Sequence, residues 1–141
     1  MKSKKESYLK LVQCAKEAKT NALAPFSNFR VGAAILTKSG KIFTGCNIEN
    51  SSFGLTICAE RTAIFKAISE GHRNFLAMAI VSDNGEFTPP CGACRQVLMD
   101  LAGDIDFVMV NKKNVLQIKK MHSLLPLAFT TKNLKRSWKK R

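Results

Sequence analysis

The sequence predicts an α/β protein in which helices cover a mixed sheet, and three observations carry that prediction. Helix-like and strand-like stretches alternate along most of the chain, the order that builds helix-covered sheets. Leu76 to Val81 is an unbroken apolar run of strand length, as a strand buried on both faces requires. The chain has 141 residues with 45% hydrophobic content. That is one domain, able to bury about two thirds of its unfolded surface without disulfide staples.

Residues 4–22 place Tyr8, Leu11, Val12, Ala15 and Ala18 at helical spacing, with lysines on the other face. Cys14 falls inside this helix as a small buried hydrophobe, and Pro25 closes the segment. Phe29 to Leu36 reads as a strand, with Gly32-Ala33-Ala34 small enough for close packing. A turn at Lys38-Ser39-Gly40 and a return strand from Lys41 to Cys46 complete a hairpin. Gly45 to Gly54 is a polar loop. A helix then opens near Cys58, carries the apolar stripe Ile64, Ala67 and Ile68, and stops at Gly71. The Leu76–Val81 strand follows, then a loop from Glu86 to Pro90. Another helix runs from Cys91 to about Ala102. Phe107 to Val110 and Val115 to Ile118 are two further strands, joined at Lys112-Lys113-Asn114. The expected layout is one domain over residues 1–131 and a basic tail over 132–141.

The net charge of +13 is unevenly placed: +4 over residues 1–20, −1 over 21–106 and +10 over 107–141. Basic ends raise the prospect of nucleic-acid binding, yet the nearly neutral middle carries the candidate chemistry. No apolar run approaches the ~20 residues a membrane helix needs. The start, Met-Lys-Ser-Lys-Lys, does not read as a signal peptide. A cytoplasmic location is expected, and there five cysteines read as metal ligands or buried thiols.

The chemistry concentrates in Cys58-Ala59-Glu60-Arg61 and Pro90-Cys91-Gly92-Ala93-Cys94-Arg95. Cys91 and Cys94 are three apart and share a helix face. Both motifs fall at predicted helix starts, where unpaired N–H groups and the helix dipole favour thiolate. Three protein ligands suit a catalytic zinc with one position open for water. Three thiolates would leave that ion with a formal negative charge. Arg61 and Arg95, each directly after a ligand motif, are candidates to donate to the sulfurs and offset it; the alternative is that both are solvated surface groups. Glu60 supplies a carboxylate able to take and return a proton. Pro-Cys-x-x-Cys alone is shared with redox proteins and zinc ribbons. Preceded by Cys-x-Glu it is the zinc deaminase signature, in which the glutamate is not a ligand.

With these residues in place, the chain resembles the cytidine deaminases of the small, homotetrameric, three-cysteine class, from about residue 5 to Phe129. Ala24-Pro25-Phe26-Ser27-Asn28-Phe29-Arg30-Val31-Gly32-Ala33-Ala34 is similar to the family's Pro-Tyr-Ser-x-Phe-x-Val-Gly-Ala-Ala. Gly45-Cys46-Asn47-Ile48-Glu49-Asn50-Ser51-Ser52-Phe53 is similar to its Gly-x-Asn-x-Glu-Asn-x-Ser-Tyr. The two cysteine motifs match outright, and Leu124-Leu125-Pro126-x-x-Phe129 resembles the C-terminal block. The resemblance implies a three-layer α/β/α fold, with a mixed five-stranded sheet and helices on both faces. It implies one Zn²⁺ per subunit on Cys58, Cys91 and Cys94, with Glu60 as general acid/base. The implied reaction is hydrolytic deamination of cytidine and deoxycytidine in pyrimidine salvage.

The resemblance also assigns the pocket. Asn47 and Glu49 would bond the ribose hydroxyls, an amide and a carboxylate at alternate positions pointing the same way. Phe26 would pack near the pyrimidine, the backbone N–H of Ala59 would hold the base carbonyl, and Phe129 would stack on the base in a neighbouring subunit's site. The loop around Ser51, Ser52 and Phe53 would likewise reach an adjacent site. Phe26 and Phe53 replace the family's usual Tyr, and Pro89 its usual Ser. Each Phe loses a hydroxyl, while Pro89 keeps the carbonyl the family uses near the substrate amino group. Three readings compete: a deaminase acting on nucleic acid, one acting on a nucleoside analogue such as blasticidin, and a basic RNA-binding or assembly protein using zinc structurally.

Overall fold

The computed structural model describes residues 3–134. Helix α1 (Lys4–Lys19) starts at a reciprocal cap: Ser3 Oγ accepts from Glu6 N and Glu6 Oε2 accepts from Ser3 N, satisfying two N–H groups that a helix start leaves unpaired. It ends one turn before the predicted residue 22. At Thr20, Asn21 and Ala22 the backbone bonds pass to carbonyls three residues back, the tighter turn common at helix ends.

Strands β1 (Val31–Thr37) and β2 (Ile42–Cys46) form the predicted hairpin. They are followed by α2 (Ala59–Ser69), β3 (Phe75–Ser82), α3 (Gly92–Leu101), β4 (Asp106–Val110), β5 (Leu116–Lys120) and the short α4 (Met121–Leu124). The five strands lie in the order β2-β1-β3-β4-β5. Only β3 and β4 are parallel, and α3 is the crossover that a parallel pair needs. The sheet is mixed and five-stranded, as the resemblance implied.

Strand alternation divides the core into two layers. Ala34, Ala77, Ala79, Val81, Val108 and Val110 meet Tyr8, Leu11, Val12 and Ala15 of α1. Ala33, Ile35, Met78, Ile80, Phe107 and Met109 meet α2 and Leu98 of α3 on the other face. The result is the three-layer α/β/α arrangement. Cys14 packs at the edge of the α1 layer, where burial pushes its thiol pKa up.

Two glycines set the layer spacing. A Cβ on Gly32 would lie 2.0 Å from the Ala15 carbonyl oxygen of α1, and one on Gly45 would lie 2.4 Å from the Ala59 carbonyl oxygen and 2.5 Å from Ala63 N of α2. Gly45 therefore lets the start of α2 rest directly on β2. At the opening of β4, Asp106 is buried. It accepts from Tyr8 Oη at 2.6 Å, Lys4 Nζ at 2.8 Å and Lys120 Nζ at 2.7 Å. One carboxylate thus ties the first helix to the edge strand.

Three details differ from expectation. Leu76, placed in a strand buried on both faces, is exposed: Leu36 pairs with Ala77 and Thr37 with Phe75, so Leu76 is the extra residue of a bulge in the ladder with β1. β5 runs on to Lys120 rather than ending at Ile118; Lys119 and Lys120 are exposed on this edge strand, a charge pattern that blunts edge pairing. A single 3₁₀ turn at Thr131–Asn133 spans the expected start of the tail, and residues 135–141 of that tail lie outside the described residues. Among the described residues no helix is long and apolar enough to cross a membrane.

Candidate active site

Two helix starts converge here. Cys58 is the N-cap of α2 and Cys91 the N-cap of α3, both with extended backbone, and Cys94 lies in the first turn of α3. The sequence places both thiol motifs at these starts, and the structure brings them together. Cys58 Sγ and Cys91 Sγ are 3.8 Å apart, and all three sulfurs lie within 4.8 Å of one another. A tetrahedral zinc with bonds of ~2.3 Å spaces its sulfurs by ~3.8 Å. The residues therefore fit zinc, in donor type as well as spacing, since thiolate sets of this shape favour it over hard cations.

The electrostatics match a thiolate cluster. Hydrogen bonding from Cys94, then from Arg61 and Cys91, outweighs burial and brings the Cys58 thiol down to about 5. Cys94, fully buried, is pushed the other way by its bond to Cys58 and by burial; a metal takes the place of such a proton. Arg61 Nη2 donates to Cys58 Sγ at 3.3 Å. Its Nε is buried and, among the described residues, is the one buried side-chain nitrogen or oxygen without a partner.

Arg95 does not join it. Its Nε donates to the Pro90 carbonyl and its Nη1 to the Leu124 carbonyl, both at 2.8 Å. Lying one residue beyond Cys94, its long side chain runs back along α3 to the backbone that enters Cys91. It braces that backbone instead of a sulfur.

Glu60 is 4% exposed, and its Oε2 lies 3.6 Å from Cys94 Sγ. Burial, helped by the Cys58 thiolate, pushes its carboxyl up to about 7. That puts a proton-exchanging group near neutrality against the thiol cluster and on the wall of the cavity beside it.

Beside the cluster is a cavity of about 280 Å³ whose walls include Asn47, Glu49, Cys58, Ala59, Glu60 and Cys91. Ile48 is bridged to both Leu23 and Ile57, which fixes the extended segment 47–49 beside Cys58 and turns Asn47 and Glu49 to the same side. Asn47 is held by the backbone: Oδ1 accepts from Val31 N and Nδ2 donates to the Phe29 carbonyl, both at 2.8 Å. Glu49 accepts from Phe26 N at 2.9 Å, Ser27 N at 3.0 Å and the Ser27 hydroxyl. These bonds, led by that of the Ser27 side chain, lower its pKa.

The other expected pocket residues stand apart. Phe26 and Phe53 pack edge to face, with centroids 5.4 Å apart, and both are exposed. Ser51 is exposed on the same loop. Phe129 is 60% exposed, and its carbonyl accepts from Gln96 Nε2 at 2.7 Å. None of these four lines the cavity of its own chain. Sequence reasoning assigned no role to Ser27, Phe29, Val31, Thr56, Ile57 or Thr88, which do line it. Ser27, Phe29 and Val31 carried a signal, as matched positions of the Ala24–Ala34 block; Thr56, Ile57 and Thr88 carried none.

An α/β/α sandwich holding three thiols and a buried carboxylate at two helix starts defines a catalytic zinc protein of the hydrolytic kind. The family model described as the cytidine and deoxycytidylate deaminase zinc-binding region matches residues 5–111. The chain is 47% identical over 125 residues to the cytidine deaminase of Halalkalibacterium halodurans, covering 88% of this chain and 95% of that protein. It is 46% identical over 130 residues to a probable cytidine deaminase of Dictyostelium discoideum, covering 92% and 88%. The crystal structure of cytidine deaminase from Burkholderia pseudomallei superposes with a TM-score of 0.83 at 45% identity, covering 86% of this chain and 98% of that one. The chain belongs to the cytidine and deoxycytidylate deaminase family.

Proposed function

We infer that this protein is a zinc-dependent enzyme that hydrolyses cytidine and deoxycytidine to uridine and deoxyuridine with release of ammonia. One observation carries the reading: Glu60, a buried carboxylate, sits against three thiols spaced for zinc on the wall of a nucleoside-sized cavity. When bound, zinc supplies a Lewis acid that brings a water's pKa towards ~7. Glu60 takes a proton from the attacking water as the water's oxygen adds to C4 of the pyrimidine, and delivers the proton to ring N3. It then moves the proton of the new C4 hydroxyl to the amino group. The C4–N bond breaks and ammonia leaves. Atoms balance with one water consumed.

The other residues bind and orient. Ala59 opens α2 on the cavity wall, and its N–H holds the base carbonyl. Glu49 faces the ribose, already anchored by the 26–27 backbone, and Asn47 fixes the wall at Phe29–Val31 while offering its remaining amide capacity to the sugar. Arg61 offsets the charge of the thiolates.

A composite site in a homotetramer accounts for Phe26, Ser51, Phe53 and Phe129. All four are exposed and off their own cavity, so they are available to a neighbouring subunit. Phe129→Ala is then expected to raise KM for cytidine without reducing zinc content. Pyrimidine salvage in the cytoplasm is the setting this activity suits.

The test is an ultraviolet assay of cytidine conversion, with and without a zinc chelator, run beside blasticidin and a single-stranded cytosine oligonucleotide. Chelator-sensitive turnover of cytidine is expected. Turnover only of the oligonucleotide or only of blasticidin would replace this substrate assignment.

A further inference from the structure

A second, larger cavity of about 400 Å³ lies on the α1 side of the sheet, where β3 and β4 end, and shares no lining residue with the candidate active site. Carboxyl ends of parallel strands are where open α/β sheets place ligands. Its walls include Lys16 and Lys19 of α1, Lys112 of the β4–β5 turn, Asp83 and Asn111. Asp83 is already matched. It accepts from Lys19 Nζ at 2.9 Å and from Arg30 N, Nε and Nη2 at 3.0 to 3.2 Å. Lys16 Nζ donates only to a neutral acceptor, Asn114 Oδ1 at 2.6 Å. Among the described residues, neither Lys16 nor Lys112 has a carboxylate within ion-pair distance.

The site is also shaped. The stem of Lys112 lies over Gly85, where even a Cβ would stand 3.4 Å from it, and Lys112 N donates to the Gly85 carbonyl at 2.8 Å. Asn111 Oδ1 accepts from Lys113 N and Val115 N, which leaves its amide N–H₂ to donate. Two lysines without carboxylate partners and an asparagine whose amide N–H₂ is unused thus line one small-molecule-sized hollow, within reach of a shared anion by their long or polar side chains. We propose that this cavity binds a doubly charged oxyanion of the phosphate class, held by Lys16, Lys112 and the Asn111 amide. The volume falls within the range of small-ligand clefts, so the phosphate is either free or the end group of a small phosphomonoester.

The full-length, zinc-loaded protein is titrated calorimetrically with inorganic phosphate and with glycerol 3-phosphate, at ionic strength fixed with sodium chloride. One phosphate-class anion per chain is expected. Tighter binding of glycerol 3-phosphate assigns the site to a phosphomonoester, and equal or weaker binding assigns it to free phosphate. Lys16→Gln/Lys112→Gln is expected to weaken binding about tenfold or more, the cost of losing a charge-assisted bond, with an unchanged melting temperature in chloride. Lys38→Gln/Lys41→Gln removes the same charge far from the cavity and is expected to bind as wild type. No binding above the chloride control overturns the proposal. So does wild-type affinity in the Lys16/Lys112 variant, or an equal loss in the Lys38/Lys41 variant, which would reduce the effect to net charge.

Discussion

Gly45→Ala tests how the fold holds the site together. The added methyl would sit 2.4 Å from the Ala59 carbonyl oxygen, 2.5 Å from Ala63 N and 2.9 Å from Thr62 Cβ. Two of these three atoms are backbone and cannot swing aside. Ordinary contact begins at 3.4 Å, so the start of α2 has to retreat by about 1 Å. Cys58 and Glu60 ride on that start, whereas Cys91 and Cys94 ride on α3 and stay. The sulfur spacing that suits zinc then opens, and the carboxylate leaves its place. A misplacement of about 1 Å costs on the order of 10²-fold in rate, and the overpacking costs ~1–3 kcal/mol of stability. Gly32→Ala is the control. It collides with α1, its Cβ 2.0 Å from the Ala15 carbonyl oxygen, on the face away from the site. Both variants are expected to melt lower. Only Gly45→Ala is expected to lose kcat/KM by about two orders of magnitude and to bind zinc more weakly. Wild-type kcat/KM and zinc content in Gly45→Ala, measured by the ultraviolet assay and by metal analysis, would refute the reasoning.

Further outcomes follow from the same structure. Arg61→Gln removes the donor 3.3 Å from Cys58 Sγ and is expected to lower activity or zinc affinity by about 10–100-fold, read from kcat/KM and a chelator competition. Arg95→Gln, whose donors go to carbonyls, is expected to lower the melting temperature more than it changes zinc affinity. Asp106 gives a pH signature. Burial raises its pKa, but the bonds from Lys120, Lys4 and Tyr8 outweigh that and hold the carboxyl well below the ordinary range. A depressed folded pKa contributes stability that is full above the unfolded value of ~3.9 and is lost as pH falls towards the folded value. Denaturant midpoints measured from pH 6 to pH 2 are expected to fall more steeply in wild type than in Asp106→Asn. At neutral pH that variant is expected to be weaker by about 1.5–3 kcal/mol, the worth of hydrogen bonds to a charged group.

What the sequence made legible is what short-range physics decides. Unbroken apolar runs placed β3 and β4 as buried strands, and Gly32-Ala33-Ala34 announced close packing, which the structure shows to be against α1 at Gly32. The spacing of Cys58, Glu60, Cys91 and Cys94 placed thiols and carboxylate at helix starts, because ligand chemistry restricts spacing tightly. Contacts made between distant segments were harder to read. Arg61 and Arg95 look alike as the residue after a ligand motif, yet one meets a sulfur and the other meets the Leu124 carbonyl, a partner twenty-nine residues away. Asn47 and Glu49 were legible as pocket residues, but not the backbone bonds to Val31, Phe29, Phe26 and Ser27 that hold them. Lys119 and Lys120 concealed the end of β5, since an edge strand carries charge where a central strand carries apolar residues.

The central claim is that Glu60 moves the protons while the three thiols hold the metal. Its most direct test is Glu60→Gln, which keeps the shape and the neighbouring sulfurs and removes the proton acceptor. The account predicts one zinc per chain, a wild-type fold and a loss of cytidine turnover of about 10²–10⁴-fold, the range for removing a general acid/base. Turnover within a few-fold of wild type in zinc-loaded Glu60→Gln would contradict it.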